Sequence, residues 1–333
     1  MQRAGMAAPE PLHDYRAPAW LPGGHAQTIW PALVSVRLSG SAPHYHRERW
    51  DTPDGDFVDV DVQRAADPLA RWLVLFHGLE GSSQGAYAQG FARAAAAAGL
   101  HYAVPHFRGC SGEPNRAPRA YHSGDHEEIG WILERLRSRS PQPLWVVGIS
   151  LGGNALMRWA EEAGASAAAS AAAIASVCSP LDLAASGHAI GRGFNRWVYT
   201  RMFLRTMKPR ALGMLARHPG LFDRERLVAA RDLYEFDNVF TAPLHGFAST
   251  EDYWARASAK PLLHTIRIPA LALNARNDPF VPAVSLPRHG EVGEWVTLAQ
   301  PAQGGHAGFP GGAFPGDVHA LPRGVLDWLR AHP

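Results

Sequence analysis

Short apolar runs alternate with helical patterns along most of the chain, and this alternation constrains the fold more than any other feature of the sequence. Seven runs bounded by glycine or proline predict strands at residues 57–62, 72–76, 101–105, 144–147, 174–178, 270–274 and 294–298. Helical periodicity predicts helices at residues 87–98, 124–137, 153–162 and 317–331. Strands that alternate with helices of crossover length predict an α/β fold with a doubly wound, mostly parallel sheet.

The alternation stops between residues 179 and 263, where Trp, Met, Arg and Phe accumulate in helical patterns that include residues 194–207 and 209–217. We therefore expect a core made of residues 1–178, including an N-terminal extension, and residues 264–333. Residues 179–263 are then an inserted helical cap over the active site. The alternative is a packing subdomain without substrate contact, because aromatic residues are core residues first.

Composition excludes several classes of protein. The 32 basic and 30 acidic residues give a net charge of +2 and form no concentrated basic patch along the chain, so we expect no nucleic-acid partner. The two cysteines, Cys110 and Cys178, can form neither a disulfide framework nor a zinc cluster. Residues 1–15 lack the apolar core of a signal peptide, and no apolar run is long enough to cross a bilayer. These features predict a cytoplasmic protein without stable membrane insertion.

The strongest local motif is Gly148-Ile149-Ser150-Leu151-Gly152, which follows the predicted strand 144–147 and precedes a helical pattern. This order is typical of a nucleophile elbow, in which a serine sits on a strained turn between a strand and a helix. Glycine is needed two positions to either side because a Cβ there would collide with neighbouring backbone. The alternative interpretation is a glycine-rich packing turn.

A serine hydroxyl becomes a nucleophile when a histidine removes its proton and a carboxylate orients that histidine. Asp278 follows the predicted strand 270–274, where the acid is expected, although an Asp-Pro turn would look the same. His306 lies in a glycine-rich loop ahead of the last helix, so the chain order is serine, acid, histidine. Weaker alternatives are Asp237, Asp252 and His319.

Residues 77–83 directly follow the strand 72–76 and are typical of an oxyanion loop. We expect the backbone N–H groups of Leu79 and Leu151 to bind the tetrahedral oxygen of an acyl-transfer reaction. His77 is expected to be a buried, hydrogen-bonded structural residue, because such a loop supplies main-chain donors.

Two further groups of residues were weighed against a catalytic role. His122, Asp125, His126 and Glu127 superficially resemble metal ligands. They lack the H-E-x-x-H order, and Ser123 or Asp125 is expected to cap the helix that begins there, so we predict no metal site. The glycines of residues 108–112 suit a tight loop at the end of a strand and not a phosphate-binding motif, and Cys110 has no evident catalytic partner.

Several segments beyond the serine motif resemble the YheT-like branch of the α/β hydrolases, AB hydrolase family 4, which is related to eukaryotic phospholipid and acylglycerol hydrolases. The segments cover most of the chain and are residues 18–28, 77–81, 107–113, 121–125, 236–238, 241–243, 245–247 and 252–254. The resemblance implies an α/β-hydrolase fold with a helical cap and matches Ser150, Asp278 and His306 to the family's triad.

The implied activity is hydrolysis of a carboxylic ester through an acyl-enzyme intermediate, as in a serine esterase, without metal or cofactor. The apolar, aromatic insertion favours a medium-chain acyl or lipid-like ester as the small-molecule substrate. Acyl transfer to another alcohol and a ligand-binding protein without turnover are the two alternatives, since the fold alone does not determine function. Protein partners stay open.

Overall fold

Eight strands form one sheet in the computed structural model, which describes residues 10–35 and 41–333. The strands are β1 (His46–Asp51), β2 (Phe57–Gln63), β3 (Trp72–Phe76), β4 (His101–Pro105), β5 (Leu144–Ile149), β6 (Ala171–Val177), β7 (Ala270–Leu273) and β8 (Val296–Ala299). Their order is β1-β2-β4-β3-β5-β6-β7-β8, with β1 and β2 antiparallel to their neighbours and the rest parallel. The first nine residues, part of the segment in which no signal peptide was expected, lie outside the described residues.

Ten α-helices of at least six residues lie within the described ranges. They are α1 (Gly23–Trp30), α2 (Ala86–Ala97), α3 (His126–Arg137), α4 (Leu151–Ala163), α5 (Leu183–Ile190), α6 (Arg201–Arg217), α7 (Arg224–Ala229), α8 (Leu233–Val239), α9 (Thr250–Ala257) and α10 (Ala320–Arg330). Short α-helical turns and 3₁₀- or π-helical turns lie at Pro31–Ser35, Gly164–Ala169, Gly193–Asn195, Arg196–Thr200, Thr241–Leu244, Lys260–Thr265, Ala283–Ser285 and His289–Glu291. No helix in these ranges is long and apolar enough to span a membrane.

Both faces of the sheet are buried, which explains why its central strands are apolar throughout. In β3, Trp72, Val74 and Phe76 pack on the side of α3 and α4. Leu73 and Leu75 pack on the other side, with α2 and α10. A strand covered on both faces must be continuously hydrophobic, and this composition had predicted a doubly wound parallel sheet. That fold class is confirmed.

Strand β1 was missed because its sequence, His-Arg-Glu-Arg-Trp-Asp, is polar. It is an edge strand in which only Trp50 is buried. Its arginines pair across the ladder with the aspartates of β2, Arg47 with Asp61 at 2.7 Å and Arg49 with Asp59 at 2.8 Å. Charged residues on an edge strand also discourage pairing with other chains, so charge complementarity with β2, not hydrophobicity, was the signal that could have revealed it.

The predicted helical patterns 194–207 and 209–217 belong to one helical segment and not to two. A π-helical turn at Arg196–Thr200 leads into α6, which continues through Pro209. Proline removes one hydrogen bond from a helix, here to the carbonyl of Arg205. Arg205 is exposed, so water can satisfy that carbonyl, and packing of the other face of α6 keeps the helix intact.

Residues 179–263 contain α5 to α9 and no strand of the sheet. The division of the chain at residues 179 and 263 stays our proposal, and we use the word cap for residues 179–263. Packing within this segment forms apolar clusters of its own, one of which contains Leu204, Leu227 and Phe236.

A buried ion cluster joins the loops below the cap. Arg108 follows β4, and its side chain is only 3% exposed. Its guanidinium donates to Glu128 at 2.6 Å, to Asp54 at 2.8 Å and to Asp56 at 3.2 Å. Removing one partner from a buried ion pair costs more than the pair contributes, because the remaining charge stays buried without compensation.

We expect Arg108→Leu to lower the free energy of unfolding by about 3 kcal/mol, because Glu128 and Asp56 lose their buried counter-charge. Urea denaturation measures this change. Arg330→Leu is the matched control, since Arg330 and its partner Asp327 are 50% and 58% exposed, and its effect should stay within about 0.5 kcal/mol. Equal losses in the two variants would contradict a special role for the buried cluster.

Candidate active site

Ser150 occupies a strained turn at the carboxyl end of β5. Its φ of 54° and ψ of −121° lie outside the regions that side-chain-bearing residues normally adopt. The turn is held by the Ser150 N–H, which donates to the Val177 carbonyl at 2.8 Å. Helix α4 begins at the next residue. The strand, turn and helix therefore have the order that the sequence motif had predicted.

Steric constraints require glycine two residues before and two residues after Ser150. A Cβ on Gly148 would lie 2.5 Å from the Gly152 carbonyl oxygen. A Cβ on Gly152 would lie 2.5 Å from the His77 carbonyl oxygen and 2.7 Å from that of Phe76. Real Cβ atoms do not approach backbone so closely, so α4 can pack against β3 only where these residues lack a side chain.

Asp278 and His306 come together from two different loops. Asp278 follows β7, is 6% exposed, and accepts at Oδ2 from the His306 Nδ1–H at 2.8 Å. Its other oxygen accepts from the backbone N–H groups of Phe280 at 2.7 Å and Val281 at 3.3 Å. Hydrogen bonds therefore hold both carboxylate oxygens of Asp278, and the carboxylate in turn orients the imidazole of His306.

The predicted oxyanion loop turns directly over the Ser150 elbow. A Cβ on Gly78 would lie 3.1 Å from the Ser150 Cβ. The neighbouring amides are occupied, Gly78 N–H by the Tyr87 hydroxyl and Glu80 N–H by the Tyr121 hydroxyl, each at 3.0 Å. In the described ranges the N–H groups of Leu79 and Leu151 donate to no protein acceptor, so both are free to bind an oxygen.

His77 is completely buried and has a structural part in this loop. Its Nδ1 is hydrogen-bonded to the Gly78 carbonyl at 2.8 Å, and its Nε2 accepts from the Phe107 N–H at 3.1 Å. Burial lowers the pKa of the imidazole to about 3. A neutral ring with both nitrogens engaged matches the structural role that was predicted for it.

Ser150, His306, Leu79 and Leu151 all line one cavity of about 480 Å³ between the sheet and the cap. Most of its wall is apolar and comes from the cap, including Leu183, Ile190, Phe203, Met207, Met214, Leu233, Phe236 and Phe240. This size lies within the range of small-molecule sites. The carboxyl edge of the sheet thus opens into a hydrophobic chamber.

Comparison with known proteins identifies the family. Residues 71–312 match the model of the alpha/beta hydrolase fold family. Over 314 residues the chain is 38% identical to YheT of Escherichia coli strain K12, which is named as an esterase, covering 92% of this chain and 90% of that protein. This chain belongs to the α/β-hydrolase family. The predicted membership of its YheT-like branch is confirmed.

More distant relatives agree with this placement. The hydrolase is 27% identical over 339 residues to the mouse phospholipase ABHD3, covering 97% of this chain and 80% of that protein. The solved structure of mouse alpha/beta hydrolase domain-containing protein 10 superposes with a TM-score of 0.54 at 14% identity, covering 86% of this chain and 99% of that chain. The structural likeness supports the fold alone.

Helix α1 holds the loops of Asp278 and His306 in this α/β hydrolase, and sequence reasoning had assigned it no task. The Thr28 hydroxyl accepts from the His306 backbone N–H at 2.8 Å. The Gln27 side-chain oxygen accepts from the Asn277 side chain at 2.9 Å and from the Gly304 N–H at 3.0 Å. We call Gln27 and Thr28 the brace. Residues 18–28 had stood out only through the family resemblance, which was the one available signal.

The brace packs so closely against the histidine loop that glycine is required there. A Cβ on Gly308 would lie 2.0 Å from the Gln27 carbonyl oxygen, and one on Gly305 would lie 2.8 Å from the Thr28 hydroxyl. Gly305 also has a positive φ of 62°. The glycine-rich loop around His306 is therefore shaped by contact with α1 and is not simply flexible.

The histidine and acid cluster at the start of α3 is engaged elsewhere. Asp125 occupies the N-cap position but makes no cap hydrogen bond, because its carboxylate accepts from Arg119 at 2.7 Å. Ser123 does not cap the helix either, since its hydroxyl accepts from the Asn154 side chain at 3.0 Å. The predicted cap was therefore wrong. The half-buried ring of His122 packs against that of His245, with ring centroids 4.5 Å apart.

The side chains of the weaker candidates for the catalytic acid and base make contacts that do not involve the proposed triad. Half-buried Asp237 accepts from Thr241 at 2.7 Å and from the Trp254 indole at 2.9 Å, and desolvation raises its pKa to about 6. Asp252 accepts from the Ala248 N–H at 3.0 Å, and His319 is exposed beside Asp317. Each lies outside the cavity wall except Asp237, whose carboxylate is already occupied.

Cys110 and Cys178 are both unpaired and buried. The Arg210 guanidinium of the cap donates to the Cys110 sulfur at 3.2 Å and to Glu80 at 2.8 Å. Burial raises the pKa of the Cys110 thiol to about 11. A protonated, hydrogen-bonded thiol is a poor nucleophile, so Cys110 contributes a contact between cap and core.

We expect Thr28→Val to lower kcat about tenfold with little change in KM, because the His306 N–H loses its buried acceptor and the loop shifts. Steady-state kinetics on a nitrophenyl ester measures both constants. Thr28→Ser keeps the hydroxyl and should restore kcat to near the unmodified value. Similar kcat values for the valine and serine variants would contradict the positioning role.

Proposed function

We propose that this protein is a serine hydrolase that cleaves a carboxylic ester, with Ser150 as nucleophile, His306 as base and Asp278 as its partner. The observation that carries the proposal is the hydrogen bond between Asp278 and His306 at the wall of the same cavity that Ser150 lines. The ester class is supported by relatives that are named as an esterase and a phospholipase. These relatives support the class of carboxylic-ester hydrolases, and the contact between Asp278 and His306 supports the triad.

The contact between Asp278 and His306 selects the reactive form of the ring. Because Nδ1–H donates to the carboxylate at 2.8 Å, the neutral imidazole carries its lone pair on Nε2. That nitrogen removes the Ser150 proton as the oxygen attacks the ester carbonyl. The carboxylate stays ionised and stabilises the imidazolium that forms.

Two backbone N–H groups stabilise the negative charge that develops on the carbonyl oxygen. The N–H groups of Leu79 and Leu151 lie in the same cavity wall as Ser150, and α4 begins at Leu151, so its positive dipole end faces the oxyanion. Loss of one such donor costs on the order of 3 kcal/mol in comparable enzymes. Collapse of the intermediate expels the alcohol and leaves an acyl-enzyme, which water activated by His306 hydrolyses.

The substrate's acyl group is placed by the apolar wall of the cavity. Cap residues supply much of this wall, and most of their side chains are aliphatic, aromatic or methionine, although Arg210, Arg217 and Asp237 of the cap also line it. Burial of each methylene of an acyl chain contributes about 0.8 kcal/mol. We therefore assign a medium-chain acyl or lipid-like ester as the substrate class.

A fluorophosphonate probe, which reacts with activated serines, tests the triad. Unmodified protein should be labelled and Ser150→Ala should not, while Asp278→Asn should label about 10⁴-fold more slowly because an amide no longer selects the tautomer with its lone pair on Nε2. Asp252→Asn is the control, since that carboxylate lies outside the cavity wall. Folded protein that resists the probe would favour a ligand-binding protein, and products measured with an added alcohol separate hydrolysis from acyl transfer.

Nitrophenyl esters of graded chain length test the assignment of the acyl pocket. Met207 lines the cavity, whereas its neighbour Thr206 is exposed and does not line it. We expect Met207→Trp to lower kcat/KM for medium-chain esters about tenfold through lost volume, and to spare acetate esters. Thr206→Trp should leave the chain-length profile unchanged. Equal loss for all chain lengths would place the acyl group elsewhere.

A further inference from the structure

The cap carries an uneven charge that the overall balance of the chain conceals. Residues 183–222 contain no Asp or Glu, although the chain as a whole has 30 acidic residues. The same forty residues contain six arginines and one lysine: Arg192, Arg196, Arg201, Arg205, Lys208, Arg210 and Arg217. The expectation that the chain has no concentrated basic patch was therefore wrong for this segment.

Large apolar side chains are exposed on the same segment. Phe194, Trp197 and Met202 are 53%, 69% and 53% exposed, and Val198 is 38% exposed. Soluble proteins seldom expose several large apolar side chains along one element unless it binds something. We call these four residues, with Arg201 and Arg205, the outer face.

The outer face is one stripe of a two-sided helical segment. Its members recur at spacings of three and four residues, which is the period of one side of a helix. Tyr199, Thr200 and Leu204 point the other way and are buried. Phe194 touches the rings of His25 and Tyr199, but the apolar side chains of the outer face stay largely exposed because the protein core covers the opposite side.

The two cations of the outer face, and Arg192 just before it in sequence, are also without acidic partners. In the described part of the chain, Arg192, Arg201 and Arg205 form no ion pair with Asp or Glu. Instead the Arg201 guanidinium stacks over the Trp197 ring at 5.6 Å. All three arginines are exposed. An uncompensated positive charge thus surrounds the exposed aromatic side chains.

We propose that the outer face docks this protein on an anionic lipid surface. Arginines attract the headgroups of anionic lipids, while Trp, Phe and Met insert at the boundary between headgroups and acyl chains. Nucleic acid would satisfy the arginines but not the exposed apolar stripe. A second copy of the chain is disfavoured, because a twofold contact would bring the same positive surfaces together.

Docking would bring the lipid next to the cavity. The side of α6 opposite the outer face supplies Phe203, Met207 and Met214 to the cavity wall. One helix, about 10 Å across, therefore separates the docked surface from the chamber that opens on Ser150. The transfer of an ester from the lipid surface into the cavity rests on the proposed function, whereas docking itself does not.

Vesicle sedimentation with the full chain carrying Ser150→Ala tests docking independently of catalysis. We expect binding to vesicles of phosphatidylcholine mixed with phosphatidylglycerol and at least about tenfold weaker binding to phosphatidylcholine alone. Added salt should weaken the binding, since it screens the exposed arginines. Absence of binding to the anionic vesicles would overturn the proposal, and would leave the ester hydrolase untouched.

Variants locate the surface. Trp197→Glu should weaken vesicle binding at least about tenfold, and the pair Arg201→Gln with Arg205→Gln should do so only on anionic vesicles. Leu69→Glu is the matched control, because Leu69 is 64% exposed in the loop before β3 and far from the cap in sequence; it should bind as the parent chain does. Unfolding midpoints establish that each variant is folded, and Met202→Glu replaces Trp197→Glu if that variant is not.

Two results would reject the lipid surface as the occupant. One is equal binding by the Trp197→Glu and Leu69→Glu variants, which would mean that vesicles bind elsewhere. The other is a dimer in sedimentation velocity that Trp197→Glu dissociates, which would mean that a second copy covers the outer face. A monomer whose vesicle binding depends on Trp197 and on the arginines supports the proposal.

Discussion

The backbone leaves no room for a side chain at positions 148 and 152, two residues before and two after Ser150. The arrangement of the candidate site depends on this close packing. Gly148 and Gly152 let α4 start directly beside the ends of β5 and β3. With that packing, the hydroxyl of Ser150 and the N–H of Leu151 open on the same cavity. A Cβ at either glycine would push the helix from the sheet, and nucleophile and oxyanion donors would separate.

The other half of the site consists of loops, which need an external support. Asp278 and His306 follow two different strands, and their two loops are joined by the hydrogen bond between these side chains, by the Gly305 N–H that donates to Asn277, and by the brace of α1. Loops that carry functional groups are usually positioned by a rigid scaffold. Here the scaffold comes from the N-terminal part of the described chain and packs closely enough to require glycines in the histidine loop.

The cap uses its two sides for different purposes. Its inner side closes an apolar chamber over Ser150, and its outer side presents aromatic side chains and arginines without acidic partners. A helix that must be apolar on both sides cannot be explained by core packing alone, since packing needs only one apolar stripe. The exposed apolar side chains of the outer face, together with its arginines that lack acidic partners, are the reason for proposing a lipid surface as its occupant.

Much of this architecture could be predicted from the amino-acid sequence. Apolar runs buried on both faces, helices of crossover length and the glycines around Ser150 are local patterns, and each predicted the element that the structure contains at that position. Boundaries differed by a few residues; Cys178, for example, was expected in β6 but leaves the strand with a φ of 50°. The family resemblance by itself matched Ser150, Asp278 and His306 to the proposed triad.

What the sequence could not determine depends on contacts between distant segments. The edge strand β1 exists because its charges face those of β2, and α6 continues through Pro209 because packing outweighs one missing hydrogen bond. The brace joins Thr28 to His306 across 278 residues, and the capping that Asp125 was expected to provide is lost to its pairing with Arg119. By itself the sequence determined which segments become strands, helices and tight turns, because those depend on neighbours along the chain. Only the tertiary structure decided which side chains meet, because a hydrogen bond or an ion pair goes to whichever partner the packed fold brings closest.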